Sequence, residues 1–345
     1  MTRQTPAFPN EASAAATHPF RDVRLHIVTG KGGTGKTTVA AALAIALAAG
    51  GRRVLLAEVE GRQGIAQLFD CPPLPYEERK VASAPGAGEV FALAIDPEEA
   101  LLEYLEMFYN MRRAGRTLKK MGAIDFATTI APGMRDVLLT GKVKEAVTRQ
   151  DKQRRTGQAY DAVVMDAPPT GRIIRFLNVT TEVAGLARVG PIRSQADSVM
   201  AVLRSKKAAV HLVTLLEEMP VQETVDGVTD LRSSKLPVGA VLVNRTREPL
   251  LSQADLVAAR EGSLDRADLA AGLKAAGIEA DEPLLDALLA EAADHARRVG
   301  LEQQERRVLE QLERPTCELP QLSDAIDLGG LYRLAELLTE QGMAG

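Results

Sequence analysis

The chain contains no tryptophan, and aromatic residues make up only 3% of its 345 positions. Platforms on which successive nucleic-acid bases stack are therefore scarce. Its two cysteines, Cys71 and Cys317, lie far apart with no C-x-x-C spacing. That excludes a zinc clasp or iron–sulfur cluster built from paired local thiols, and it makes reduced thiols in a cytoplasmic protein the expectation. A single thiol contributed by each subunit of a dimer stays open. His18, His26, His211 and His295 have no ligand spacing among them. No apolar run approaches the ~20 residues of an integral membrane segment, and the longest candidate, 38–49, reads as a buried Ala/Leu-rich helix. A net charge of only -4 gives no drive toward nucleic acid or anionic lipid. Residues 1–20 are polar, Ala-rich and Pro-interrupted. They lack a charged stretch followed by an apolar one, and read as a disordered tail rather than a signal peptide.

What is present is the composition of an ordinary globular protein, 46% hydrophobic and 26% charged. The length suits one large α/β domain or a core with a helical insertion. Strand-like apolar stretches at 23–29, 53–59, 90–95, 162–166, 209–214 and 239–244 are separated by helix-period segments. Such an order predicts a doubly wound, mostly parallel sheet over residues 21–345. Asp96-Pro97-Glu98-Glu99 has helix-start chemistry and opens a helical insertion over about 97–150, interrupted near Pro132-Gly133. A second helical segment covers about 250–313, with breaks near Gly277 and Pro283. A short strand at 317–319 and a helix at 328–340 close the chain.

Between the first strand and the first helix lies Gly30-Lys31-Gly32-Gly33-Thr34-Gly35-Lys36-Thr37-Thr38. It fits G-x-x-x-x-G-K-[ST], in which glycines let consecutive backbone amides turn inward around phosphates and the following helix adds its dipole. Lys36 is then placed for the β- and γ-phosphates of ATP, and the Thr37 hydroxyl for Mg2+. Gly30, Gly32, Gly33, Thr34, Gly35 and Thr38 complete the cradle. An ordinary P-loop does not need the second cation, Lys31. The motif resembles the deviant Walker A form, in which that lysine reaches a nucleotide held by the facing subunit. The resemblance implies a dimer in which a cation is delivered to the transferred phosphoryl group, as an arginine finger does.

Further along, the apolar stretch 162–165 delivers Asp166 to the end of a strand, where a carboxylate holds Mg2+ through water. The stiff Pro168-Pro169-Thr170-Gly171 that follows ends in a flexible glycine, as a segment that swings with the γ-phosphate needs.

These segments carry a family resemblance over nearly everything from Arg24 to Leu338. Asp166-Ala167-Pro168-Pro169-Thr170-Gly171-Arg172 resembles a switch II of the form D-T-A-P-T-G-H, and Val241-Leu242-Val243-Asn244 resembles a strand ending in an adenine-recognising Asn. His211-Leu212-Val213-Thr214, followed by Glu218, Pro220 and Glu223, resembles the strand-to-helix segment between them. Arg306–Leu312 followed by Glu318-Leu319-Pro320 resembles a closing helix and adenine-side loop. The family is that of the arsenite-efflux ATPase ArsA and the guided-entry factor for tail-anchored membrane proteins, and the chain is especially similar to its bacterial single-P-loop "anion transporter ATPase" branch. The resemblance implies slow Mg-ATP hydrolysis by a homodimer, or by a heterodimer with a paralogous ATPase, acting on a protein or membrane-protein client.

Relatives carry D-P-A-H after the second strand, and its Asp orients the attacking water. Here Glu60 takes the Asp position and Gln63 the His position, with Glu58 a rival acid. The added methylene moves the carboxylate by about one bond length, and a ~1 Å misplacement can cost 10²-fold in rate. Arg172 stands where relatives have His, placed either to pair with Glu60 or to contact phosphate. The arsenite-binding thiols and the intersubunit zinc C-x-x-C have no counterpart.

Leu101, Leu102, Leu105, Met107, Phe108 and Met111 form either the wall of a client groove or the packed face of an amphipathic helix. The basic run Arg112, Arg113, Arg116, Lys119 and Lys120 reads as a solvated face. Two other functions share the motif: a nucleotide switch or regulatory subunit with negligible turnover, and a partition or septum-positioning ATPase. The latter needs a basic DNA-binding surface or a basic C-terminal helix, whereas residues 331–345 hold Glu336, Glu340 and a single basic residue, Arg333.

Overall fold

The computed structural model describes residues 19–109, 133–154, 156–178, 191–322 and 326–344. In chain order its elements begin with β1 (Leu25–Gly30), α1 (Lys36–Ala48), β2 (Arg53–Glu58), α2 (Gly64–Leu68), β3 (Arg79–Ala84), β4 (Gly88–Ala94) and α3 (Pro97–Tyr109). They continue with α4 (Met134–Thr148), β5 (Ala162–Asp166), α5 (Thr170–Leu177), α6 (Pro191–Leu203), β6 (Ala208–Thr214), α7 (Glu218–Ser233) and β7 (Val238–Thr246). Last come α8 (Gln253–Glu261), α9 (Arg266–Ala275), α10 (Glu282–Glu310), β8 (Thr316–Pro320) and α11 (Leu328–Glu340).

The central strands are apolar without alternation, and such strands are stable only where both faces are covered. β1, β5 and β6 are buried along their whole length. The described strands form one sheet in the order β3-β4-β2-β5-β1-β6-β7-β8, parallel except for the β3–β4 pair. Leu25, Ile27, Leu55, Val163 and Met165 face one core, roofed by α3 to α7. Val28, Val54, Leu56 and Val164 face the other, under α1 and α11. Helix α1 is sandwiched so completely that every residue from Val39 to Ala48 is buried. The doubly wound α/β fold expected from the sequence is the one observed.

Two features differ from the sequence reading. The antiparallel edge strand β3 was expected to be loop. Its outer half is charged and exposed, and only Ala82 and Ala84 are buried, so it carries little apolar signal. The helical segment is also divided at Gly262, a break the sequence reading did not give, whereas the expected break near Gly277 and Pro283 is present, with Pro283 in the first turn of the 29-residue α10 after the N-cap Asp281, where a missing N–H costs nothing.

The insertion is helical at both ends, in α3 and α4. Leu101 is buried, and Leu102 and Leu105 pack beside it on the main core. The side chains of Met107 and Phe108, together with Met111 and the basic run 112–120, lie outside the described residues. Among those described, no helix is long and apolar enough to cross a membrane.

Two of the histidines that lack ligand spacing meet in the core. His26 Nδ1 and His211 Nε2 lie 3.1 Å apart, with the rings stacked at 11°. Because the Ala240 amide donates to His211 Nδ1, the Nε2–H of His211 must donate to His26. Both rings are then neutral, and burial holds His211 well below the ordinary histidine range. No group of three or more His, Cys, Asp or Glu gathers to hold a metal ion among the described residues, so this pair ties β1, β6 and β7 together instead.

Candidate functional site

Parallel winding brings the C-terminal ends of β1, β2, β5, β6 and β7 to one edge of the sheet, where ligands of open α/β folds bind. The register places Val28 beside Asp166, Glu58 beside Asp166, and Gly30 beside Val213. The loop between β1 and α1 starts at Gly30 because nothing larger fits: a Cβ there would stand 2.1 Å from the Val213 carbonyl oxygen. It ends at Gly35, with φ of 87°, where a Cβ would meet the Asn244 amide at 2.4 Å. Between them the Lys31 carbonyl accepts from Thr34 Oγ1 at 2.9 Å and from Lys36 Nζ at 3.3 Å. Burial lowers the pKa of Lys36, against the pull of Asp166 and Glu60. Cβ atoms at Gly32 and Gly33 would meet nothing within 4 Å, so this part of the loop borders open space.

Below the loop, Thr37 Oγ1 donates to Asp166 Oδ2 at 2.7 Å. A hydroxyl and a carboxylate in contact are the hard-oxygen donors that Mg2+ takes, and the residues present fit that ion. Asp166 is the most perturbed acid here. Burial pushes its pKa up to about 6, against the Thr37 hydrogen bond and Lys36, with Glu58 and Glu60 adding to the rise. A carboxyl whose folded pKa is raised gives stability that is complete below the unfolded value near 4 and lost as pH rises through about 6. At neutral pH the bare carboxylate is thus a liability, which a bound cation relieves. Asp166→Asn is expected to raise the stability of the nucleotide-free protein at pH 7 by up to about 2–3 kcal/mol, with little change at pH 4. Urea melts at the two pH values, without magnesium, check this; equal effects at both would remove the electrostatic cause.

Lys31 is held within its own subunit. Its ammonium lies 2.9 Å from Glu223 of α7, and Glu223 also accepts from Thr170 Oγ1 at 2.9 Å. Burial works against the Glu223 charge, but the hydrogen bonds from Lys31 and Thr170 outweigh it and hold the carboxyl below its ordinary range. The loop lysine, α7 and the start of α5 are thereby joined through one carboxylate.

The two acids after β2 separate cleanly. Glu58 is 2% exposed and accepts from the backbone amides of Gln63 at 2.5 Å and Ile65 at 3.2 Å, capping α2. That geometry commits both Glu58 oxygens to backbone amides. Glu60 remains partly exposed, 3.7 Å from Arg172 and 3.6 Å from Arg62. Arg172, for which the sequence left two partners, stands 3.7 Å from the Glu60 carboxylate.

Residues 23–205, more than half of the chain, match the family described as Anion-transporting ATPase. The chain belongs to that family. ATPase BagA of Mycobacterium tuberculosis is 55% identical to it over 321 residues, covering 93% of this chain and 94% of that protein. More distant relatives are ATPase GET3 of Kluyveromyces lactis, 27% identical over 270 residues (68% of this chain, 74% of that one), and ATPase get3 of Schizosaccharomyces pombe, 31% identical over 183 residues (51% of each).

In this family member Asn244 and Gln63 spend their side chains on backbone groups. Asn244 does not stand at a strand end, since β7 runs on to Thr246. Its amide donates to the Thr34 carbonyl at 2.8 Å and so props the phosphate loop from beneath. It also borders a cleft of about 670 Å3 that Leu216, Glu218, Arg245 and Gln321 share. Pro320 ends β8 beside Thr246, next to the cleft residue Gln321. Gln63, at the position of the family His, spends its side chain on the Leu74 backbone, accepting at 2.7 Å and donating at 3.1 Å. Reasoning from sequence gave Glu223 no task. An acid in the first turns of a helix is usually explained by the helix dipole, and no spacing links it to Lys31, 192 positions earlier in the chain.

Proposed function

We propose that the protein binds Mg-ATP in the loop 30–38 and hydrolyses it slowly, as a dimer in which Lys31 of each subunit reaches the nucleotide of the other. The observation that carries this reading is the loop itself: a glycine-rich turn between β1 and α1 whose Gly32 and Gly33 border open space, with Lys36 bonded to its Lys31 carbonyl and Thr37 bonded to Asp166. Gly30, Gly32, Gly33, Thr34, Gly35 and Thr38 shape the cradle, Lys36 neutralises phosphate charge, and Asn244 and Pro320 flank the base. Thr37 and Asp166 hold the cation, which when bound supplies a Lewis acid that offsets charge on the phosphates. Glu60, partly exposed beside the cradle, orients and deprotonates water.

A switch with negligible turnover is the second reading, and a specific observation favours it: Glu60 is shared by two guanidinium groups, Arg62 and Arg172, which oppose its action as a base. Phosphate release by the purified protein decides between them. Turnover that Glu60→Gln cuts by about 10²-fold with nucleotide affinity preserved supports hydrolysis; tight binding with no release above background supports the switch. Closing and opening of the dimer on a protein or membrane-protein client extends the hydrolysis reading. The partition alternative fits poorly, because α11 carries Glu336 and Glu340 against Arg333, which is itself paired with Glu336.

A further inference from the structure

A long acidic segment lies away from the glycine-rich loop. Residues 250–295 hold ten acidic and three basic side chains, a net of -7 in a chain whose total is -4. This stretch contains α8, α9 and the start of α10, and α8 and α10 share a small core of four buried residues, Leu256, Ala259, Ala296 and Val299. Helix α9 contributes nothing to it and has no buried residue at all. It is fastened at its N-terminal end, where Arg266 pairs with Glu282 and, at 2.6 Å, with Asp286 of α10.

Between α9 and α10 runs an open groove of about 580 Å3. Leu269, Gly272 and Leu273 line one wall, and Leu288, Leu289 and Ala292 the other. All four leucines remain partly exposed, a Cβ on Gly272 would meet nothing within 4 Å, and Leu250 at the margin is 86% exposed. Asp255, Asp265, Asp268 and Glu291 stand around the groove, opposed by Arg298 alone among Lys and Arg.

We propose that this groove is a docking site for a cationic amphipathic helix of a partner protein. The walls are two helix faces with apolar residues four apart, 269/273 and 288/292, which is the relief into which the ridge of a third helix seats. Lys and Arg flanking the partner's apolar stripe then meet the acidic rim. The same charge argues against the other occupants. A second copy pairing through this face brings two -7 segments together, and an anionic membrane surface is repelled by it. The inference is independent of the nucleotide reading, since none of these residues belongs to the cradle.

Fluorescence anisotropy on the full chain tests it, with a labelled Leu/Lys amphipathic helix of about 18 residues and its Leu/Glu counterpart. The cationic probe is expected to bind saturably, and the anionic one at least about tenfold more weakly. Leu269→Ala with Leu273→Ala should weaken the cationic probe at least about tenfold. Both leucines are partly exposed and alanine favours helix, so this variant keeps its fold, which circular dichroism verifies. Asp268→Asn with Glu291→Gln, a surface change, should weaken it about threefold or more and flatten its salt dependence. Equal binding to the leucine variant, or equal binding of both probes, overturns the proposal. So does self-association in light scattering, or recruitment to phosphatidylglycerol vesicles, that the leucine variant abolishes, because each assigns the groove to another occupant.

Discussion

Lys36→Ala lowers steady-state phosphate release by at least about 10²-fold, with a parallel loss of ATP affinity, while the fold and its melting temperature stay within a few degrees of the parent. The size follows from what the side chain does. It is half-buried and bonded to the Lys31 carbonyl at 3.3 Å, and in the proposed complex it places a fixed positive charge where phosphate charge accumulates. Removing one such preorganised donor typically costs ~10²–10³ in rate. Stability changes little because desolvation already lowers the pKa of this ammonium, so its loss also removes a burial cost. Isothermal titration with ATP and magnesium, beside a phosphate-release assay, gives both numbers; a variant that still binds and turns over within threefold of the parent refutes the cradle.

Lys31→Ala separates binding from turnover. Affinity for ATP in the single subunit is expected to stay within about threefold, because this lysine points to Glu223 and not into its own cradle. Turnover falls by about 10³-fold, the lower end of what a finger-type cation contributes, and nucleotide-dependent dimerisation weakens with it. The tether to Glu223 is no obstacle to the swing. Both side chains are about one-third exposed, and ion pairs so placed are worth ~0–1 kcal/mol, far less than a polyphosphate offers. Light scattering with a non-hydrolysable analogue, plotted against protein concentration, reads the dimer. A Lys31→Ala protein that dimerises and turns over like its parent leaves no role for a facing subunit.

Much of this site is legible in one dimension because its residues are neighbours. The cradle from Gly30 to Thr38 is nine consecutive positions between a strand and a helix, and the backbone alone gives it shape. Asp166 is legible for the same reason, as an acid ending an apolar strand. Glu58 and Glu60 were not separable by sequence, since strand alternation gives a direction and not a partner. Only the turn at Gln63, with its positive φ, brings the amides of residues 63 and 65 under the Glu58 carboxylate. Glu223 was named by the resemblance but its contacts were invisible, because its partners come from residues 31 and 170, which adjacent strands and helices bring together. Strand β3 escaped for a different reason, because an exposed edge buries too little apolar surface to leave a periodic trace.

Local chemistry therefore determined the doubly wound α/β class, the glycine-rich loop between β1 and α1, and the acid that ends β5, because strand periodicity and a glycine-rich turn are properties of contiguous residues. The tertiary structure decided which acid stays beside the cradle, where Lys31 rests, that Asn244 supports the loop, and that two distant histidines share a proton-ordered contact. The last three depend on the sheet order β2-β5-β1-β6-β7, which sets residues more than a hundred positions apart at hydrogen-bonding distance and leaves no periodicity in the sequence to announce it.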